Sequence, residues 1–223
     1  MSAPTPPRPP TPAAASGPTR SLVVVSAGLG QPSSTRLLAD RLAGATVAAL
    51  EERGVAASVE TVELRSVAHD IVNAMLTGFA GGELRRVLDA VTGADGLIAV
   101  TPLFTTTYSG LFKSFVDVID KDALSGMPVL LGATGGTPRH SLALEYAMRP
   151  LFTYLRAEVV STSVFAATDD WSGETDGASP LVTRIGRAGR ELAEMVTRRE
   201  NPGPPDAYAD APSFADLLGG LEG

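Results

Sequence analysis

Residues 97–120 read LIAVTPLFTTTYSGLFKSFVDVID, and the architecture of the chain can be worked out from this segment. It begins with a short apolar run, Leu97–Val100, which is closed by Thr101-Pro102. After a loop rich in hydroxyl groups, apolar side chains recur at helical spacing over Ser109–Asp120. A buried strand followed directly by a polar loop and a helix indicates one unit of a parallel α/β structure.

The same succession recurs along the chain. The other apolar runs are Leu22–Val25, Ser58–Leu64, Val129–Ala133 and Val159–Phe165. Helical periodicity predicts helices over Ser34–Arg53, Ser66–Leu76, Glu83–Thr92, Ser141–Arg156 and Pro180–Arg199. We therefore predict an α/β fold, an open three-layer α/β/α sandwich with a parallel sheet covered on both faces. Eight such units would need more chain, which argues against an α/β barrel.

Composition indicates one folded domain with different segments at each end. Of the 223 residues, 44% are hydrophobic and 19% are charged, which are values typical of globular proteins. Residues 1–20 are rich in proline and predict a disordered leader, and residues 200–223 form an acidic, proline-containing tail. The domain is expected over residues 21–199.

Charge and residue usage argue against several classes of protein. A net charge of −7 is unlike the basic surface of a general nucleic-acid binder. No apolar run approaches the ~18 residues that a membrane-spanning helix needs. The sequence contains no cysteine, so disulfides and thiolate metal sites are excluded. The leader has no apolar core of the kind found in signal peptides, and we expect a cytoplasmic protein.

The first candidate site lies in the loop after the first strand, because ligands of open parallel sheets bind beyond the carboxyl ends of the strands. This segment, Ser26–Arg36, is loop one; it has two glycines and several hydroxyl groups before a helix N-terminus, which favours an anion. We interpret it as a phosphate cradle; the alternative is that Ser33 or Ser34 only caps the helix. It lacks the Lys of a P-loop and the third glycine of a dinucleotide fingerprint.

Two further loops are expected at the same edge of the sheet. Loop two, Thr101–Gly110, offers backbone amides, hydroxyl groups and two aromatic rings, which suit a flat heteroaromatic ligand. Loop three, Thr134–His140, contains Gly135-Gly136, which permits a close backbone approach to a ligand. The alternative for loop two is a connecting segment that only caps the next helix. The alternative for loop three is an ordinary turn. Because the loops follow strands one, three and four, we expect them to converge at one crevice.

These segments resemble the NADPH-dependent FMN reductase family of flavodoxin-like proteins. The likeness extends over Ser21–Ser172, and Thr101–Asp120 is similar to actinobacterial FMN reductases that partner luciferase-like monooxygenases. The resemblance implies five parallel strands in the order 2-1-3-4-5, with FMN as the cofactor and NADPH or NADH as the electron donor. It implies contacts to the FMN phosphate from Ser26, Ser33, Ser34 and Thr35, to the ring edge from Pro102, Leu103, Phe104, Thr105 and Thr106, and to the far side of the ring from Thr134, Gly135 and Gly136.

The resemblance also implies the reaction, hydride transfer from a nicotinamide to FMN, for which no catalytic side chain is required. Reduced FMN could then supply a flavin-dependent monooxygenase. The alternatives are a reductase of quinones, azo compounds or metal oxyanions that keeps FMN bound, and a flavodoxin-type electron carrier. Members of the family are expected to be homodimers or tetramers. The chain departs from the family in loop one, where Ala27-Gly28-Leu29-Gly30 replaces the usual Gly-Ser-x-Arg, and Arg36 is a substitute candidate for the missing arginine.

The sequence leaves the roles of several basic residues open. Arg139, Arg149 and Arg184 are all candidates for the 2′-phosphate that distinguishes NADPH from NADH. His140 either touches the ligand or only begins the next helix.

Four further features also have alternatives. His69 is expected on an exposed helix surface. Asp169-Asp170 favours a solvated loop over a metal site, and Trp171 either stacks on a ring or packs on the surface. In the tail, apolar residues at helical spacing indicate a segment that docks on the domain or on a partner subunit, or a short unstable helix: Phe214, Leu217, Leu218 and Leu221.

Overall fold

The centre of the computed structural model, which describes residues 19–171 and 179–199, is a mainly parallel β-sheet. Its strands, in chain order, are β1 (Arg20–Ser26), β2 (Ala57–Glu63), β3 (Gly96–Phe104), β4 (Thr107–Tyr108), β5 (Pro128–Gly135), β6 (Glu158–Val159) and β7 (Val164–Ala167). Across the sheet the order is β2-β1-β3-β5, and both β6 and β7 pair with the far side of β5. With β6 and β7 counted as one interrupted strand, the predicted order 2-1-3-4-5 is confirmed. The short strand β4 pairs antiparallel with β3 and was not predicted.

Helices cover both faces of the sheet, as the continuous apolar strands predict. One face carries α1 (Ser34–Glu51) and α6 (Pro180–Arg198); the other carries α2 (Ala68–Thr77), α3 (Gly82–Gly93), α4 (Gly110–Asp117) and α5 (Arg149–Tyr154). Each face of the sheet has its own hydrophobic core, and β1 contributes side chains to both. Leu22 and Val24 pack under α1 and α6, while Val23 and Val25 face the other helices. The three-layer sandwich is therefore confirmed.

The pair α1 and α6 packs closely because of one glycine. A Cβ atom at Gly189 would lie 2.8 Å from the carbonyl carbon of Ala45, so a larger residue would push the helices apart. This contact holds the helix that begins at loop one firmly against the domain.

The prediction of one continuous strand over Val159–Phe165 is wrong, because the segment leaves the sheet between β6 and β7. Side chains replace the ladder hydrogen bonds there. The guanidinium of Arg149 donates to the carbonyl oxygen of Val160 at 3.0 Å, and the Glu191 carboxylate accepts the N–H of Thr162 at 2.7 Å. These bonds satisfy backbone groups that an interrupted strand would otherwise leave unpaired.

The helix predicted over Ser141–Arg156 is also less regular than its sequence indicates. A π-helical turn, Leu144–Met148, precedes α5, and the N–H of Arg149 donates to the carbonyl of Leu144, five residues back. The next residue is Pro150, which has no N–H to donate to the carbonyl four residues earlier. The wider turn is consistent with a chain that must accommodate that proline ring.

The predicted leader 1–20 lies outside the described residues except for its last two, and the tail 200–223 lies outside them entirely. The apolar pattern predicted for that tail therefore lies outside the described residues as well. Within residues 19–171 and 179–199, no helix is long and apolar enough to cross a bilayer.

Candidate functional site

A crevice lies at the carboxyl ends of the parallel strands, where the three loops were expected to meet. Its volume is about 370 Å³, and it is lined by residues from loop one, from loop two, from loop three and from the segment after β7: Ser34, Pro102, Leu103, Phe104, Thr134, Gly135, Gly136, Ala166, Thr168 and Trp171. The structure therefore brings together seven of the twelve residues implied by the resemblance. None of the described residues that line the crevice is acidic.

Loop one forms the polar end of the crevice. Helix α1 begins at Ser34, its first turn contains no acidic side chain, and the Ser33 hydroxyl caps it by accepting the N–H of Arg36. A Cβ atom at Gly28 would lie only 2.1 Å from the Ser33 Oγ atom, so glycine is needed for the cap to form. The unpaired N–H groups of the first turn and the helix dipole favour an anion at this end.

Two hydroxyl groups of loop one lie beneath its surface. Thr35 is buried, and its Oγ1 atom lies 2.9 Å from Oγ1 of Thr134, which joins loop one to loop three by a hydrogen bond. Ser26 ends β1 and is 1% exposed, and no described residue forms a hydrogen bond with its hydroxyl. A buried hydroxyl without a partner is unusual, and a phosphate oxygen is one group that could satisfy it.

Loop two is a tight hairpin between β3 and β4. Its two central residues, Thr105 and Thr106, have φ angles of +51° and +76°, a left-handed conformation that β-branched residues rarely adopt. The base of the hairpin is held by Thr101, whose Oγ1 atom accepts the N–H of Ser109 at 3.1 Å. The hairpin thus presents Phe104, which is 47% exposed, at the crevice, while its two strained residues lie at the tip.

Loop three and the end of β7 form the opposite wall. A Cβ atom at Gly135 would lie 2.9 Å from Cζ of Phe165, so the strand is packed closely at this point. The crevice also includes Thr168 and Trp171, which sequence reasoning did not assign to it. The rule that identified the other loops, position after a strand, would have found them if it had been applied to the fifth strand.

In the aspartate pair after β7, Asp170 has a structural role. The Asp170 carboxylate accepts the N–H of Ala167 at 2.8 Å and thereby closes the turn. Within residues 19–171 and 179–199 there is no group of three side chains suited to a metal ion. Trp171 lines the crevice and also lies under the guanidinium of Arg41, 5.0 Å from the ring centre. Its stacking on a ligand ring stays a prediction.

The substitute candidate for the family's early arginine has other partners. Arg36 forms ion pairs with Asp40 and Glu63, both at 2.8 Å. The hydrogen bond to Asp40 is the main reason that the pKa of Arg36 lies above its ordinary value. Arg65, which sequence reasoning did not select, lies beside loop one and pairs with the same Glu63 carboxylate.

The crevice fits an FMN molecule by its chemistry. It has an anion-binding helix terminus at one end, apolar walls from Pro102 and Leu103, and a glycine pair along the other side. The fold and this site together define a flavodoxin-like protein with a ligand site at the carboxyl edge of its sheet.

Comparison with known proteins identifies the family. The model of the NADPH-dependent FMN reductase family matches residues 20–172, and the chain belongs to that family and is an oxidoreductase. An FMN reductase (NADPH) of Pseudomonas aeruginosa is 35% identical over 180 residues, which cover 80% of this chain and 93% of the relative. The NADH-dependent FMN reductase SfnF of Pseudomonas fluorescens is 34% identical and covers 81% and 94%, respectively.

A solved structure supports the same grouping. The X-ray structure of an oxidoreductase from Corynebacterium diphtheriae superimposes with a TM-score of 0.78 and 48% identity, over 81% of this chain and 98% of that chain. The two curated relatives use different donors at nearly equal identity, so similarity alone does not indicate which donor this chain uses.

Proposed function

We propose that the protein is an NAD(P)H-dependent FMN reductase whose FMN site is the crevice at the carboxyl ends of the strands. The observation that carries the proposal is the combination, in one crevice, of the α1 N-terminus, the apolar wall of loop two and the glycine pair of loop three. Family membership over residues 20–172 supports the same activity.

We assign the phosphate end of FMN to loop one. Ser34 lines the crevice at the start of α1, and Ser33 holds the helix terminus in place. We also assign Ser26 to the phosphate, since its hydroxyl, at the end of β1, has no partner among the described residues. Thr35 acts through its bond to Thr134, because that bond fixes the position of loop one against loop three.

We assign the flavin ring to the space between loop two and loop three. Pro102, Leu103 and Phe104 contact the edge of the ring. The strained pair Thr105 and Thr106 fixes the hairpin that carries these three residues. Thr134, Gly135 and Gly136 lie along the other side of the ring. Bound there, FMN would accept a hydride at its N5 atom from a reduced nicotinamide.

The chain's own contribution is to bind the flavin and to orient it toward the nicotinamide. Backbone N–H groups near Gly135-Gly136 are placed to stabilise negative charge on the reduced ring, and the glycines let the backbone approach it closely. Phe104 lines the crevice and is 47% exposed, so a second ring, such as a nicotinamide, can reach this side of the site. A site exposed on this side also favours exchange of reduced FMN, which could then supply a flavin-dependent monooxygenase.

We also propose that the protein forms a homodimer or tetramer. Helix α2 and its end present four large apolar side chains at i, i+3, i+4 and i+7, each exposed by half or more: Val72, Met75, Leu76 and Phe79. A group of exposed apolar side chains of this kind is typical of an interface. The expected cytoplasmic location stays a prediction.

The test is nicotinamide oxidation by the purified protein, with NADH and NADPH separately, with and without free FMN. We expect turnover that depends on free FMN. Turnover by a yellow protein that instead needs a quinone or a dye would favour an enzyme that keeps FMN bound. If flavin binds but neither nicotinamide is oxidised, the reductase proposal is wrong and an electron carrier remains.

A further inference from the structure

A second groove lies beside the FMN crevice, on the other side of loop three. Its volume is about 320 Å³, and its lining comes from the tip of the loop-two hairpin and from the segment that follows loop three: Thr106, Thr107, Arg139, His140, Leu142, Ala143, Tyr146 and Ala147. Two of these side chains are basic, and none is acidic. We call it the Arg139 groove.

The three arginines that could bind a 2′-phosphate differ in what they already contact. Arg149 is engaged with the Glu145 carboxylate and with the carbonyl of Val160. Arg184 donates to the carbonyl of Phe165 at 3.2 Å and lies 3.7 Å from the Asp170 carboxylate. Both therefore stabilise the interrupted edge of the sheet, and neither guanidinium is available without breaking those contacts.

Arg139 is different. It is exposed on the short 3₁₀ turn Pro138–His140, and none of the residues 19–171 and 179–199 forms an ion pair or a hydrogen bond with its side chain. His140 lies next to it in the same groove, so a guanidinium and an imidazole face the same volume. Such a pair has several N–H donors and no carboxylate competitor, which suits a phosphate group.

The Arg139 groove is also at a suitable distance from the crevice. Gly136 lines the crevice and Arg139 follows three residues later, so their Cα atoms are at most about 11 Å apart. A dinucleotide with its nicotinamide over the flavin ring is long enough to reach that groove. The exposed ring of Tyr146 offers a surface on which its adenine could stack.

We propose that Arg139 and His140 bind the 2′-phosphate of NADPH, and that this contact makes the protein prefer NADPH over NADH. The inference rests on the proposed function, because it takes the nicotinamide to lie over FMN in the crevice. It assigns to this chain a donor preference that the two curated relatives, one named for NADPH and one for NADH, leave open.

The experiment measures KM and kcat for each donor at saturating FMN in the full chain and in Arg139→Ala. We expect the substitution to raise the KM for NADPH about 10- to 100-fold, because a charge-assisted bond to phosphate is lost. The kcat with NADPH and both constants with NADH should stay within about twofold. Arg139→Lys should recover part of the loss, and Arg139→Glu should make NADH the better donor.

The matched control is Arg187→Ala, an exposed arginine of α6 on the opposite face of the sheet, which should change nothing. Equal kcat/KM for the two donors in the unaltered protein, or an equal loss with both donors in Arg139→Ala, would overturn the proposal and leave the reductase activity standing.

A binding measurement separates this site from the reaction. By calorimetry, 2′,5′-ADP should bind more tightly than 5′-ADP, and Arg139→Ala should abolish the difference. If the protein binds 2′,5′-ADP in this way but oxidises no nicotinamide, the proposed function fails while the phosphate site stands. If both nucleotides bind equally, the phosphate site fails whatever the activity.

Discussion

Polar residues at the two ends of the sheet differ in what they bind. At the amino-terminal end, the buried Asp95 carboxylate accepts the N–H of Ser21 at 2.7 Å and a guanidinium N–H of Arg20 at 2.9 Å. Arg199 donates to the carbonyl of Ala94 at 3.1 Å, and burial lowers the pKa of its guanidinium. The polar groups here satisfy one another.

At the carboxyl end, several polar groups lack such partners. The Ser26 hydroxyl has no partner among the described residues, the first amides of α1 face a crevice, and Arg139 has no carboxylate beside it within that part of the chain. A cluster that is satisfied internally contributes to stability, whereas polar groups without a protein partner are available to a ligand. The internally paired cluster and the proposed site thus lie at opposite ends of the same sheet.

The largest expected effect is at the amino-terminal end. Asp95→Ala should lower the free energy of unfolding by about 3 kcal/mol, because it leaves the Ser21 amide and the Arg20 guanidinium without their partner. Urea unfolding followed by circular dichroism measures the change. The kcat/KM with FMN, measured well below the unfolding midpoint, should be unaltered.

An exposed carboxylate serves as the control, because it tests whether the loss of stability in Asp95→Ala comes from the burial of Asp95. Asp89→Ala removes an exposed group of α3 whose partner, Arg85, lies 3.8 Å away and is also exposed. It should change the unfolding free energy by less than about 0.5 kcal/mol. Loss of activity in Asp95→Ala without a change in stability would contradict the proposed division between the two ends.

The next effect is in loop one. Gly28→Ala places a methyl group where the Ser33 hydroxyl lies, so the cap of α1 must shift. We expect a rise of about tenfold in the KM for FMN and a loss of about 1 kcal/mol of stability, the usual cost of a lost cap. Kinetics and urea unfolding on the same sample measure both.

A glycine within helix α1 itself serves as the control. Gly44 is exposed, and nothing lies within 4 Å of a Cβ atom placed there. Gly44→Ala should stabilise the protein by about 0.5–1 kcal/mol and leave the KM for FMN unchanged. If both alanine variants behave alike, the close contact between Gly28 and Ser33 has no functional importance.

The smallest effect concerns the strained hairpin. Thr106→Gly removes a β-branched residue from a left-handed conformation and should stabilise the protein by about 1 kcal/mol or less, since glycine also gains freedom when unfolded. We expect the KM for FMN to rise several-fold because the hairpin becomes less rigid. Arg156→Gly, at φ +58° outside the crevice, should leave that KM alone. A loss of stability in Thr106→Gly would show that its side chain has contacts that outweigh the strain.

The fold could be predicted because its signals are local. Apolar runs and helical periodicity reflect which faces of each element are buried, and these patterns placed the regular helices to within about a turn. The alternation of strand and helix then limits the sheet to a parallel arrangement. The same local rule placed loops one, two and three at one edge and so predicted most of the crevice.

What the sequence alone established is the set of elements, the edge of the sheet that carries the site and, by resemblance, the family. Only the tertiary structure decided which of three arginines has no partner among residues 19–171 and 179–199, that Thr35 bonds to Thr134, and that Trp171 lines the crevice. The physical reason is that such contacts join residues far apart in sequence, through distances and competing partners that no local pattern records. A guanidinium becomes a candidate ligand-binding group only when packing has left it without a carboxylate.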